Sequence, residues 1–271
     1  VKKDGTILGI ISIKGGVGKT TTVINLATTL ANDAQKKVLV IDANFSSPNV
    51  GLHLGLVNTG ATIHHVLNDK ILVHDAIYKH QFGFDVIPAS LVYEKTSPLK
   101  LKNKVSVLRK YYDFIILDSS PTLNEELLAT MLTADKLFVV TSPDFTTLST
   151  TLRAVKLAKE KGTPILGLIL NKVRGKHYEL SVKDIENTAH VPVVAVVRED
   201  QKVLEALSKI KPITLYKPHN KVSVEYKRLG AALADTRYNP PSVMQRLMNY
   251  VVEDVENFRQ HRFKTGVSYY N

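Results

Sequence analysis

The sequence predicts an α/β fold: a doubly wound, mainly parallel sheet flanked by helices. Three observations carry this expectation. Short, nearly continuous apolar runs recur along the chain, as strands buried on both faces of a parallel sheet do. Helix-period segments lie between them, and strand–helix alternation implies right-handed βαβ units with helices on both faces. A glycine-rich turn joins the first strand to the first helix, at the carboxyl end of a strand, where such sheets gather their ligands.

In chain order, strands are expected at Ile7–Ile13, Val38–Ile41, Phe84–Ile87, Phe114–Leu117, Lys136–Thr141, Ile165–Leu170 and Val193–Val197. Helices are expected at Thr20–Ala34, Ala61–Leu67, Leu99–Tyr111, Glu125–Thr133, Thr147–Lys161, Val182–Ala189, Lys202–Ser208 and Val222–Ala234. One domain is expected over residues 1–238. Asn239-Pro240-Pro241 marks a break, because proline cannot continue a helix and restricts its predecessor. Residues 239–271 form a C-terminal extension with an amphipathic helix over Ser242–Gln260. Met244, Met248, Val251, Val255 and Phe258 place an apolar stripe on one face of it. Its polar face mixes Arg246, Glu253, Asp254, Glu256 and Arg259, whereas a membrane-surface helix favours a basic face. Packing on its own domain, a membrane surface and a partner helix are all open readings of this stripe.

Composition narrows the classes. The chain has 271 residues and is 44% hydrophobic, which excludes wholesale disorder. No run reaches the ~18 apolar residues of a membrane-spanning helix. The start, Val1-Lys2-Lys3-Asp4-Gly5, lacks the apolar core and cleavage site of a secretory signal, and the expectation is a cytoplasmic protein. There are no cysteines, which removes disulfide scaffolds, thiol catalysis and cysteine-held metal clusters. Lys and Arg number 36 against 25 Asp and Glu, a net charge of +11. Such a surface suits nucleic acid, anionic membrane or acidic partners, or serves solubility alone.

The strongest chemical signal is Lys14-Gly15-Gly16-Val17-Gly18-Lys19-Thr20-Thr21. Glycines let backbone N–H groups turn inward around a polyphosphate, and the helix N-terminus adds partial positive charge. Lys19 would reach the β- and γ-phosphates, and the Thr20 hydroxyl would bind Mg²⁺. The usual loop would begin with a glycine at Ile13; the pattern is instead K-G-G-x-G-K-T-T.

That pattern resembles the deviant phosphate loop of the MinD/ParA family of P-loop ATPases, and the resemblance runs over roughly residues 7 to 235. It implies ATP and Mg²⁺ as cofactors and an ATP-dependent homodimer in which Lys14 reaches the phosphates held by the other subunit. It implies nucleotide binding by Gly15, Gly16, Val17, Gly18, Lys19, Thr20 and Thr21. Val38-Leu39-Val40-Ile41-Asp42 resembles the strand leading to the switch I aspartate. Phe114-Ile115-Ile116-Leu117-Asp118 resembles the second acidic strand, which leads into switch II. Thr20, Asp42 and Asp118 are then the metal set, although an aspartate after a strand also serves as a helix cap or turn residue. Asn171, in Leu170-Asn171-Lys172-Val173, resembles the adenine-reading asparagine, with a turn asparagine as its alternative. Arg198 stands where the family often has a proline near the base.

Two departures shape the expected chemistry. Switch I in the family commonly reads Asp-x-Asp, whereas here it is Asp42-Ala43-Asn44. Asn44 can hydrogen-bond a water but carries no charge and is a far weaker base, so slow basal hydrolysis is expected. With Lys14, Lys19 and Asp42, Asn44 completes the candidate catalytic set. The absence of cysteine excludes close analogy with the iron–sulfur members of this superfamily, and Tyr269-Tyr270 is too short for the tyrosine-rich tail of kinase relatives.

Two branches remain. The stretches Asp42–Leu56 and Val140–Asp144 look like the MinD side, and Gly162–Val173 resembles archaeal MinD-like proteins in particular. That branch is expected to bind a membrane surface or protein partner and to place cell-division machinery. The runner-up is a ParA-like ATPase on nonspecific DNA. It is favoured by the basic clusters Lys95, Lys100, Lys102, Lys104, Arg109, Lys110 and Lys172, Arg174, Lys176, which a solvated helix face would also explain. A third reading is a nucleotide-gated scaffold that barely hydrolyses, because Asn44 replaces the acid.

Overall fold

The structure is a computed structural model and describes residues 4–92 and 94–238. Its strands are β1 (Thr6–Ile11), β2 (Val38–Ala43), β3 (Tyr78–Lys79), β4 (Asp85–Ile87), β5 (Phe114–Ser119), β6 (Lys136–Thr141), β7 (Ile165–Val173) and β8 (Val193–Arg198). They form one sheet in the order β3-β4-β2-β5-β1-β6-β7-β8. Every neighbouring pair is parallel except the short edge pair β3–β4.

Side chains alternate between two buried faces with the period of two that a strand imposes. Ile7, Ile11, Leu39, Ile41, Ile115, Leu117, Leu137 and Val139 belong to one apolar cluster. Leu8, Ile10, Val38, Val40, Phe114, Ile116, Phe138 and Val140 belong to the other. Neither face is polar, so the strands read in sequence as unbroken apolar runs. At Gly9 a Cβ would sit 2.6 Å from Leu137 Cδ2 and 3.2 Å from Ala134 Cβ. The missing side chain lets the turn into β6 close against the centre of the sheet.

The helices are α1 (Lys19–Asn32), α2 (Val50–Leu54), α3 (Ile63–Leu67), α4 (Leu101–Ser106), α5 (Glu125–Thr133), α6 (Phe145–Glu160), α7 (Val182–Ala189), α8 (Gln201–Ser208), α9 (Ile213–Tyr216) and α10 (Lys221–Leu233). Residues of α1, α8 and α10 cover one face, and residues of α3, α4, α5, α6 and α7 cover the other. From β1 the chain moves towards β2 on one side, and later towards β6 on the other. The carboxyl end of β1 is therefore the topological switch point, where a crevice opens.

The expected helix Leu99–Tyr111 is corrected. It is a 3₁₀ turn over Pro98–Lys100, the short α4, and then a run of three-residue turns at Leu108, Arg109 and Tyr111. Tertiary bonds draw the chain out of helical geometry. The Arg109 carbonyl accepts from Gly5 N at 3.0 Å, while its guanidinium donates to Gly5 O at 3.0 Å and to both Asp135 oxygens at 2.6 and 2.7 Å. The elements α2, β3 and α9 were not foreseen; each is five residues or fewer, too short for a periodic signal. The expected helix Ser242–Gln260 lies outside the described residues.

The basic clusters are partly neutralised in the fold. Lys100 and Lys104 both pair with Asp69, Arg109 pairs with Asp135, and Arg174 pairs with Glu199. No helix among the described residues is long and apolar enough to cross a membrane.

Candidate nucleotide site

The turn from β1 into α1 builds the floor of the site. Gly16 and Gly18 take left-handed backbone angles, with φ of 74° and 95°. These angles favour glycine and turn the loop so that α1 starts with unpartnered N–H groups. Gly15, Gly16, Gly18, Lys19, Thr20 and Thr21 line a cavity of about 730 Å³. Val17 instead points into the apolar core and is buried. The far wall comes from the end of β8 and from α8: Val197, Arg198, Val203 and Leu204. The lining is thus polar at the glycine turn and includes apolar side chains of β8 and α8.

Asn171 sits behind the loop. Its amide nitrogen donates to the Val17 carbonyl at 2.7 Å, and a Cβ on Gly18 would lie 2.2 Å from that nitrogen. The residue both lines the cavity and clamps the loop, a support that its sequence context does not announce. Arg198 is exposed and lines the same cavity.

Two acidic strand ends lie side by side beneath the loop. Asp42 on β2 is the register partner of Asp118 on β5, and both are buried. Asp42 Oδ1 accepts from Asn44 N at 3.1 Å, and its Oδ2 accepts from Asn49 N at 2.9 Å and Val50 N at 3.0 Å. Asp42 therefore holds the switch I turn and the start of α2. Asp118 Oδ2 accepts from the Thr20 hydroxyl at 2.6 Å, while its Oδ1 is buried with no hydrogen-bond partner. Burial pushes the Asp42 carboxyl up, and the neighbouring Asp118 charge pushes it further. Burial also raises Asp118, opposed by the Thr20 hydrogen bond and the Lys19 charge. Burial lowers the Lys19 ammonium, and Asp118 pulls it back.

These features fit a hard divalent cation. An orphaned carboxylate oxygen, a hydroxyl beside it and a second carboxylate one strand away are oxygen donors of the kind Mg²⁺ takes. A cation there would relieve the repulsion between two buried carboxylates. Among the described residues no group of three or more His, Cys, Asp or Glu is placed to hold a metal. Mg²⁺ matches this, since it keeps several waters and takes ligands from substrate phosphates.

Asn44 lines the cavity. Its Nδ2 donates to the Ser47 carbonyl, and its Oδ1 is buried without a partner. Switch I is tied to α5 by a hydrogen bond from Ser46 Oγ to Glu126 Oε1. Lys14 does not line the cavity. Its Nζ bonds Asp144 Oδ1 at 3.3 Å and Thr147 Oγ1 at 2.5 Å, at the N-terminus of α6. The Asp144 partner was missed. Ser-Pro-Asp before a helix signals a cap, but nothing local signals a lysine 130 residues away.

A parallel sheet with a glycine cradle at its switch point is the architecture of P-loop nucleoside triphosphatases. Residues 5–166 match the family described as "AAA domain". The chain is 35% identical over 234 residues to an uncharacterised ATP-binding protein of Methanocaldococcus jannaschii, covering 85% of this chain and 88% of the relative. It superposes on the cell division ATPase MinD of Pyrococcus furiosus with a TM-score of 0.81 at 32% identity, covering 85% of this chain and 99% of that one. The septum site-determining protein MinD of Pyrococcus horikoshii, solved in complex with Mg-ADP, gives 0.80 at 31% identity over 84% and 96%. The chain belongs to the MinD/ParA family of P-loop ATPases, on its archaeal MinD-like side.

Proposed function

We propose that the chain is a slow, Mg²⁺-dependent ATPase whose ATP-bound form is a sandwich dimer, and that this dimer engages a membrane surface or a protein partner until hydrolysis releases it. The observation that carries the reading is the orphaned Asp118 Oδ1 beside the Thr20 hydroxyl, at the start of the helix that follows the glycine turn. The names of the archaeal relatives favour the MinD-like reading over DNA partitioning. The internal pairing of Lys100, Lys104, Arg109 and Arg174 also weakens the DNA reading, because paired cations gain less from phosphates.

In this reading the loop N–H groups and Lys19 bind the phosphate chain, and Thr20, Asp118 and Asp42 hold the metal. Mg²⁺ would neutralise charge on the β- and γ-phosphates. Asn171 keeps the loop closed, and Arg198 with the apolar wall of α8 borders the base. Asn44 holds the attacking water by a hydrogen bond without taking its proton, so turnover is slow; phosphoryl transfer rests chiefly on positioning and electrostatics. Lys14 leaves Asp144 and reaches the partner's phosphates, which makes ATP favour the dimer.

Multiple-turnover phosphate release tests the enzyme. Asn44→Asp should raise steady-state turnover, and an unchanged rate would remove Asn44 from the water. Co-sedimentation with anionic liposomes in ATP and in ADP tests surface engagement. Pelleting in ATP alone supports a membrane cycle, and no pelleting in either state moves the weight to a protein partner or to DNA.

A further inference from the structure

His53 lines a wall of the nucleotide cavity and was given no role by the sequence. It lies on α2, and its ring lines the cavity with Thr21. Behind the cavity the same ring closes a narrow cleft formed by Thr21, Ile24 and Asn25 of α1, Val203 and Leu207 of α8, and Lys211. The α2 segment is pinned by the Asp42 carboxylate through Asn49 N and Val50 N, so the ring is held on a fixed support.

The hydrogen-bonding state of the ring follows from its surroundings. Nδ1 is buried and has no partner. The neighbouring amide oxygen cannot take a proton from it: Asn25 Oδ1 already accepts from Thr214 N at 3.1 Å and Thr214 Oγ1 at 3.0 Å. Burial lowers the His53 pKa below its ordinary value, so the ring is neutral at physiological pH and carries one N–H. A stranded buried N–H costs more than a stranded lone pair. The proton therefore sits on Nε2, which is bonded to none of the described residues and is a donor in search of an acceptor.

The position says which acceptor. In the nucleotide reading, Lys19, Thr20 and Asn44 mark the γ-phosphate end of the cavity they line, and Arg198 and Leu204 mark the nucleoside end. Thr21 lies one residue past Thr20, between the two ends. We propose that His53 Nε2 donates to the α-phosphate of the bound nucleotide, a group that ADP and ATP share. The proposal rests on the nucleotide reading above. His53 thus grips both nucleotides equally and sets their residence, while Lys14 and Asn44 tell them apart.

Calorimetric titration of the full chain with Mg-ADP and with Mg-ATP tests it. Glutamine places an amide N–H where Nε2 lies, whereas phenylalanine fills the ring volume without a donor. His53→Phe should weaken ADP and ATP by the same factor, about 10–150-fold for a lost bond to a charged group. His53→Gln should retain most of the affinity. The thermal midpoints of the two variants separate folding from binding. Unchanged affinity in His53→Phe, equal losses in both variants, or a loss with Mg-ATP alone would each overturn the proposal. A penalty that disappears with 2′-deoxy-ADP would overturn it in favour of the ribose. Wild-type chain that binds neither nucleotide would defeat the nucleotide reading and this proposal together; wild-type binding that Lys19→Ala abolishes would uphold that reading however the His53 variants behave.

Discussion

The contact between Lys14 and Asp144 ties up the one lysine that the dimer reading needs. Releasing it should strengthen ATP-dependent dimerisation, and Asp144→Asn is the cleanest way to release it. Asp144 also caps α6, its Oδ1 accepting from Thr147 N at 2.8 Å, and asparagine caps about as well as aspartate. Fold stability should still fall by ~1–2 kcal/mol, through the weakened hydroxyl bonds from Ser142 and Thr147 and the lost charge at the helix N-terminus. The ion pair is semi-exposed, with side chains 35% and 47% accessible. Solvent screening holds such a pair to ~0.2–1 kcal/mol. A dimer breaks two of them, so the dissociation constant of the ATP dimer should fall by about 2–30-fold. Sedimentation velocity in Mg-ATP across a concentration series reads this directly. In a Lys14→Ala background the Asp144→Asn change should have no effect, because the group it frees is gone. An unchanged dissociation constant in the single variant, or an equal effect in both backgrounds, would refute the reasoning.

Other outcomes follow from the same geometry. Burial raises the Asp144 carboxyl, but hydrogen bonds from Thr147, Ser142 and Lys14 prevail and bring it from 3.8 to about 2. A carboxyl depressed by folding contributes stability above its unfolded value and loses it as pH falls through the folded one. The gap in urea midpoint between wild type and Asp144→Asn should therefore shrink as pH drops from about 4 to about 2. Gly18→Ala should reduce Mg-ADP affinity by more than ~10-fold, because alanine is strained at a φ of 95° and its Cβ would displace Asn171; fluorescence titration checks it. Arg109→Ala removes two bonds to Asp135 and one to Gly5 O. It should cost ~1–3 kcal/mol in urea unfolding while leaving nucleotide affinity intact.

Much of the sheet was legible in the sequence because each central strand is buried on both faces. Ile7–Ile11, Phe114–Leu117 and Leu137–Val140 are short apolar runs, as strands buried on both faces demand. The strand order was not legible. That β5 lies between β1 and β2 depends on which edges pair across some 70–110 residues, and it is this order that sets Asp42 against Asp118. The phosphate loop announced itself because its function is written in backbone freedom, and glycine is the residue that grants it. Asp42 was legible as an acidic strand end, but its three backbone donors come from a turn whose path no residue pattern encodes.

The sequence by itself determined the fold class, the glycine cradle, Lys19, Thr20 and the two acidic strand ends, and with them the family. These are local properties: apolar periodicity, turn chemistry and the spacing of a single loop. Only the tertiary structure decided that Lys14 rests on Asp144, that Asn171 clamps Val17, that Asp118 keeps an unpartnered oxygen and that His53 closes the cavity wall. Each of these joins residues from separate elements, and such contacts exist only once the sheet order and the helix packing have brought those elements together.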